Sequence, residues 1–139
     1  MTSTPTAALD VTSAVLCALS GDRITLGVPG TSYQLDFRLA GPAGDLITRL
    51  GKRVRCRIEG KALRMHVAAA GGRFIEPVYG HPRIVQGTVA AIDAKANRVL
   101  VDLCVPVWFA VADGQTASEF TVGQMVNMYV ESGMTCTIV

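Results

Sequence analysis

Aromatic residues are scarce in this 139-residue chain, at 6%, and charged residues reach only 17%. With 50% of the residues apolar, a disordered chain is excluded, since disorder needs high charge and little surface to bury. Long hydrophobic runs are also missing. The longest, Leu103 to Ala112, is interrupted by Pro106 and falls well short of the roughly 20 residues a spanning helix needs. No Lys or Arg precedes the apolar part of "MTSTPTAALDVTSAVLCALSG", and Asp10 lies within it, so the start does not read as a secretory signal.

Chemistry-bearing patterns are equally thin. The four cysteines, Cys17, Cys56, Cys104 and Cys136, form no CxxC pair and have no histidine at zinc-ligand spacing, which excludes the common structural zinc motifs. Each sits among apolar neighbours, where a reduced thiol packs as a small hydrophobe. A cytoplasmic location is expected. The two histidines, His66 and His81, have no carboxylate and nucleophile at a recognisable spacing, so no triad can be drawn. "GVPGTS", residues 27–32, lacks the lysine and the strand-to-helix setting of a phosphate loop. The chain is expected to be non-enzymatic, with no catalytic residues, no metal and no cofactor.

What the chain does have is alternation. Val99, Val101, Leu103, Val105, Val107, Phe109 and Val111 are apolar at every second position, the period of a strand with one buried face. Pro106 cannot donate to a ladder, which predicts two strands meeting at a bend. An internal repeat organises the rest. "VTSAVLCALSGDRITL" from Val11 resembles "VQGTVAAIDAKANRVLV" from Val85. "LGKRVRCRIEGKALRM" from Leu50 aligns without a gap with "VGQMVNMYVESGMTCT" from Val122, setting Gly51 on Gly123 and Glu59 on Glu131. The connectors "GPAGDLITRLG" and "DGQTASEFTVG" occupy matching places, and Gly- and Pro-rich residues 71–83 separate the halves.

Each half then reads as three strands, a connector and a closing hairpin, the order of an OB-type barrel. "GTVAAIDAKANRVLVDL" and "FTVGQMVNMYVESG" resemble tandem OB-like or TOBE-like small barrels. That resemblance implies an all-β chain of two five-stranded units, residues 1–70 and 84–139, joined by a linker at 71–83. The alternative is a single closed barrel or sandwich of about ten strands. The Ser-Ala-Arg-Asn start of oxyanion-binding TOBE domains is absent, so the resemblance leaves the ligand open.

The basic residues concentrate in one place. If Gly60 and Lys61 form a two-residue turn, Arg57 faces Arg64 and Arg55 faces His66. Val54, Cys56, Ile58, Leu63, Met65 and Val67 then form a core face, and Arg53, Arg55, Arg57, Arg64 and His66 share the other, extended by Arg49 and Lys52. Like charges opposed in a ladder are destabilising without a counter-anion. Residues 1–70 hold nine basic and five acidic groups, whereas residues 71–139 hold four and six. These patterns predict a binding module for an anionic partner, nucleic acid or a phosphate-bearing ligand, on that face. A second expectation is a structural protein that forms a homo-oligomer through an apolar face of Leu100, Cys104, Trp108 and Tyr129. A third is a small oxyanion held at the junction of the halves. No membrane contact is expected.

Overall fold

The computed structural model describes residues 9–139, and its regular structure is strand apart from two single 3₁₀ turns, Leu46–Arg49 and Ala117–Glu119. The strands are β1 (Thr12–Ser20), β2 (Arg23–Gly27), β3 (Gln34–Leu39), β4 (Arg53–Val67), β5 (Phe74–Glu76), β6 (Tyr79–Gly80), β7 (Ile84–Asp93), β8 (Arg98–Asp102), β9 (Pro106–Ala110), β10 (Met125–Val130) and β11 (Thr135–Ile138). All belong to one eleven-stranded sheet. The alternating run is buried on its apolar face from Val99 to Val111, and it does break, into β8 and β9 with a turn at residues 103–105.

The pairings close on themselves twice. β1, β2, β3, β11 and β4 form one ring and β7, β8, β9, β4 and β10 the other, with β4 common to both. The first ring is completed by a parallel β3–β11 contact of only two residue pairs, so its closure is partial. The second is completed by four parallel pairs between β4 and β9. Equivalent backbone bonds mark the repeat. Leu16 donates to Lys52 (2.9 Å) and accepts from Gly51 (2.7 Å), while Val89 donates to Gln124 and accepts from Gly123 (2.8 Å each). Gly51 therefore matches Gly123 as the sequence alignment has it. Leu16 matches Val89, one residue away from the alignment of Val11 with Val85.

Neither closing hairpin forms. β4 runs straight through Gly60 and Lys61 as a single 15-residue strand, with Gly60 and Lys61 paired to Phe109 and Ala110 of β9 and Gly60 packed against Met134 and Phe109. Its second half pairs with β10, and β11 returns to pair with the first half of β4. Each ring thus takes its fifth strand from the other half of the chain. Arg57 lies opposite Thr137 and Arg55 opposite Ser13, while Arg64 faces Tyr129 and His66 faces Asn127. The predicted opposition of Arg57 to Arg64 does not exist. A bulge at Leu63, between the pairs Ala62↔Val130 and Arg64↔Tyr129, shifts the alternation by one residue. Met65 is buried as expected, but Leu63 (55%) and Val67 (57%) are exposed.

Residues 71–83 join the rings closely instead of merely spanning them. β5 adds to β7 and β6 adds to β3, and the Ile75 amide donates to the Tyr33 hydroxyl at 3.0 Å. One continuous core runs from Leu16 and Phe37 in the first ring to Phe109 and Val126 in the second.

Candidate anion-binding surface

The turn before β4 is fixed by the paired bonds between Leu16 and residues 51 and 52. Arg49 ends the first 3₁₀ turn, and its carbonyl accepts from the Lys52 amide at 2.9 Å. Arg53 and Arg55 then project outward, since Val54 between them and Cys56 after them point into the core. They neighbour Val15 and Ser13 of β1. Arg49, Lys52, Arg53 and Arg55 are all exposed, and no ion pair is made to any of them by the described residues.

Arg57 belongs to a different arrangement. Its Nε donates to Asp10 Oδ2 at 2.9 Å, and the Trp108 indole N–H donates to the same oxygen at 2.8 Å. Burial raises the Asp10 pKa, but the bonds from Trp108 and Arg57 and the Arg57 charge outweigh it, and the carboxyl ends below its ordinary value. Arg98 stacks over the Trp108 ring, 4.2 Å from its centroid, and reaches Glu59 (3.3 Å) and Asp93 (3.2 Å). Five charged side chains and one indole thus join the two rings where β4 meets β9, and the second half of the chain supplies three of these six groups.

Opening the hairpin also divides the predicted basic face. Arg53 and Arg64 are separated by eleven residues of one extended strand, roughly 36 Å. Arg64 and His66 lie on the second ring, both exposed. Of the predicted apolar interface, Leu100 is already buried at 1% and Trp108 is partly covered and bonded to Asp10. Cys104 and Tyr129 remain exposed. Sequence reasoning missed one real like-charge pair, Arg23 opposite Arg38 on β2 and β3, both exposed. The spacing of the β2–β3 connection could have revealed it.

No group of three or more His, Cys, Asp or Glu side chains able to hold a metal occurs among the described residues. Cys56 and Cys136 are buried side by side on β4 and β11, and their mutual hydrogen bond, with burial, pushes the Cys136 thiol far above its ordinary value. Burial raises the Cys104 thiol as well. Such thiols are poor nucleophiles. Among the described residues no helix is long and apolar enough to cross a membrane. Comparison with known proteins finds no matching family model, no similar curated protein and no similar solved structure.

Proposed function

We propose that the chain is a non-enzymatic binding module that holds an anionic partner, single-stranded nucleic acid in the first instance, on Arg49, Lys52, Arg53 and Arg55. One observation carries this reading: four exposed cations, unpaired among the described residues, sit on a rigid β1–β4 seam, where an extended phosphate backbone gains charge-assisted bonds at little ordering cost. Nearby Arg57 has its own carboxylate, so the exposed cations are not simply short of acidic residues. With the exchanged strand of each ring, β11 in the first and β4 in the second, counted as its fifth, both rings link their first, second, third, fifth and fourth strands in turn, and we infer that both are OB-like barrels with exchanged closing strands.

Charge opposes the oxyanion alternative at the junction. The cleft there, about 230 Å³, is lined by Glu59 and Glu131 against Lys61 alone. Four free thiols accord with a reducing compartment.

The test is fluorescence anisotropy of labelled single-stranded DNA and RNA over a salt series, with Arg53→Glu/Arg55→Glu beside the native protein. The expected result is affinity that falls steeply with salt, and a salt slope shallower by about 1.4 in the double variant, at about 0.7 for each phosphate no longer neutralised. Equal affinity of the two proteins at every salt concentration would refute the assignment.

A further inference from the structure

Among the described residues the Arg face of the first ring carries no aromatic ring, and single-strand binders use rings as stacking platforms for bases. The second ring supplies one, in a setting that only the observed register reveals. Glu76 of β5 pairs with Ile84 of β7, Ile84 with Tyr129 of β10, and Tyr129 with Arg64 of β4. These four residues form one row across four neighbouring strands. Alternation turns all four outward, because Ile75, Val85, Met128 and Met65 beside them are buried. At about 4.8 Å per strand the row is roughly 14 Å long.

The chemistry of the row runs from acid through apolar and aromatic to base. Tyr129 is 63% exposed, and beside it lies a groove of about 550 Å³ lined by Glu76, Pro77, Val78, Arg83, Ile84 and Tyr129. Farther along β7 the outer face is closed, because Gln86 is buried and bonds to Gly72 and Asn127. The groove is therefore confined to the Tyr129 end. Neither Arg64 nor Arg83 makes an ion pair among the described residues. The Glu119 carboxylate, which feels the Arg64 charge, is itself held by Thr116.

We propose that this row is a nucleotide subsite, occupied by one unit of the same single strand that the proposed function places on Arg53 and Arg55. The base lies on Tyr129 and Ile84, its phosphate meets Arg64 and Arg83, and Glu76 accepts from an exocyclic amine at the far end. The polarity of the row fixes the orientation, since Glu76 repels a phosphate and Arg64 attracts one. An amine-bearing base is preferred over uracil or thymine. Single-stranded nucleic acid is chosen over an apolar peptide because unpaired cations flank the ring.

The experiment combines titration of adenosine monophosphate and uridine monophosphate, followed by NMR of the tyrosine ring signals, with anisotropy of adenine and uracil oligonucleotides of RNA and DNA. The variants are Tyr129→Ala, Tyr129→Phe, Arg83→Glu and Arg53→Glu/Arg55→Glu. Adenosine monophosphate is expected to shift the Tyr129 signals in the native protein and in the Arg53/Arg55 variant. Tyr129→Ala should bind oligonucleotides roughly 5- to 150-fold more weakly, the range for removing one base stack, and Tyr129→Phe should bind nearly as the native chain does. Unmoved Tyr129 signals, or equal oligonucleotide affinity for Tyr129→Ala and the native chain, would overturn the subsite even if the Arg53/Arg55 variant fails to bind. Weakened binding in Tyr129→Ala, with none of that weakening in the Arg53/Arg55 variant, would refute the first-ring surface and leave the subsite standing. A concentration-dependent dimer abolished by Tyr129→Ala, without nucleotide binding, would make the groove a self-association surface and overturn the proposal.

Discussion

Glu59–Lys61 and Glu131–Gly133 are equivalent in the repeat, yet one is the straight middle of β4 and the other a turn. Gly133 adopts φ +92°, a left-handed conformation that lets the chain leave β10 and re-enter as β11. Gly60 stays extended, paired with Phe109 and packed under Met134. Both segments carry the chain from one ring to the other, by different local means. The comparison teaches that strand exchange is a property of the repeat, whereas the route of each crossing is set by local packing. It also follows that neither ring is complete within its own half of the sequence.

The largest expected effect tests that dependence. Ending the chain after Val130 leaves residues 9–60 intact but removes β11, which supplies Cys136 to the core and pairs with both β3 and β4. Loss of the cooperative transition is expected, since a domain's whole stability is about 5–15 kcal/mol and the first ring would stand open. Circular dichroism with limited proteolysis measures this, cleavage appearing within residues 12–39. A truncated chain that melts like the native one would show the rings to be independent.

The glycines sharpen the comparison further. A Cβ on Gly87 would collide with the backbone carbonyl of Asp102, whereas one on Gly60 would meet the Met134 side chain at 2.9 Å and the Phe109 ring at 3.2 Å. Backbone cannot yield, and a methionine can. Gly87→Ala is expected to lose about 3 kcal/mol or more, and Gly60→Ala about 1 kcal/mol, in urea unfolding. A reversed order would mean that the straight crossing is the more rigid of the two regions.

Strand existence was legible because burial imposes a period of two, as the run from Val99 to Val111 shows. The exchange was not. A hairpin and an exchanged pair present the same alternation and the same glycines, and Gly60 followed by Lys61 suits a two-residue turn with glycine first. The outward direction of Arg53, Arg55, Arg57, Arg64 and His66 was recoverable from alternation, but their shared surface depended on the hairpin and went with it. Asp10 lies 98 residues from the indole that it bonds, a separation no local pattern encodes. The row from Glu76 to Arg64 needs three registers at once, and the bulge at Leu63 sets one of them.

The bonds at Asp10 tie the start of the first ring to the second. Because the folded-state pKa of Asp10 is lowered from 3.8, its contribution is present above that value and is lost as pH falls through the folded pKa. Asp10→Asn is expected to cost about 2 kcal/mol at pH 7, typical of charge-assisted bonds, and the difference from the native chain should shrink below about pH 4. Urea unfolding of both proteins at a series of acidic to neutral pH values measures it, with Trp108 as a fluorescent reporter. A difference that does not vary with pH would assign the effect to packing rather than to charge.

The smallest effects distinguish the junction from an ordinary surface pair. Arg73 and Asp102 approach more closely than any other ion pair among the described residues, at 2.6 Å, yet their side chains are 50% and 41% exposed. Arg98 makes longer contacts, but it is stacked on Trp108 and 31% exposed. Solvent screening and side-chain entropy offset a short exposed contact, whereas a guanidinium held over an indole keeps its attraction. Arg73→Ala is therefore expected to change stability by less than about 0.5 kcal/mol, and Arg98→Ala to cost about 1 kcal/mol because the stacking is gone. Adding salt should erase what little the Arg73 variant loses and leave most of the Arg98 effect in place. Equal, salt-sensitive losses would reduce the Arg98 contacts to one more surface ion pair, leaving Asp10, the shared core and the exchanged strands to join the rings.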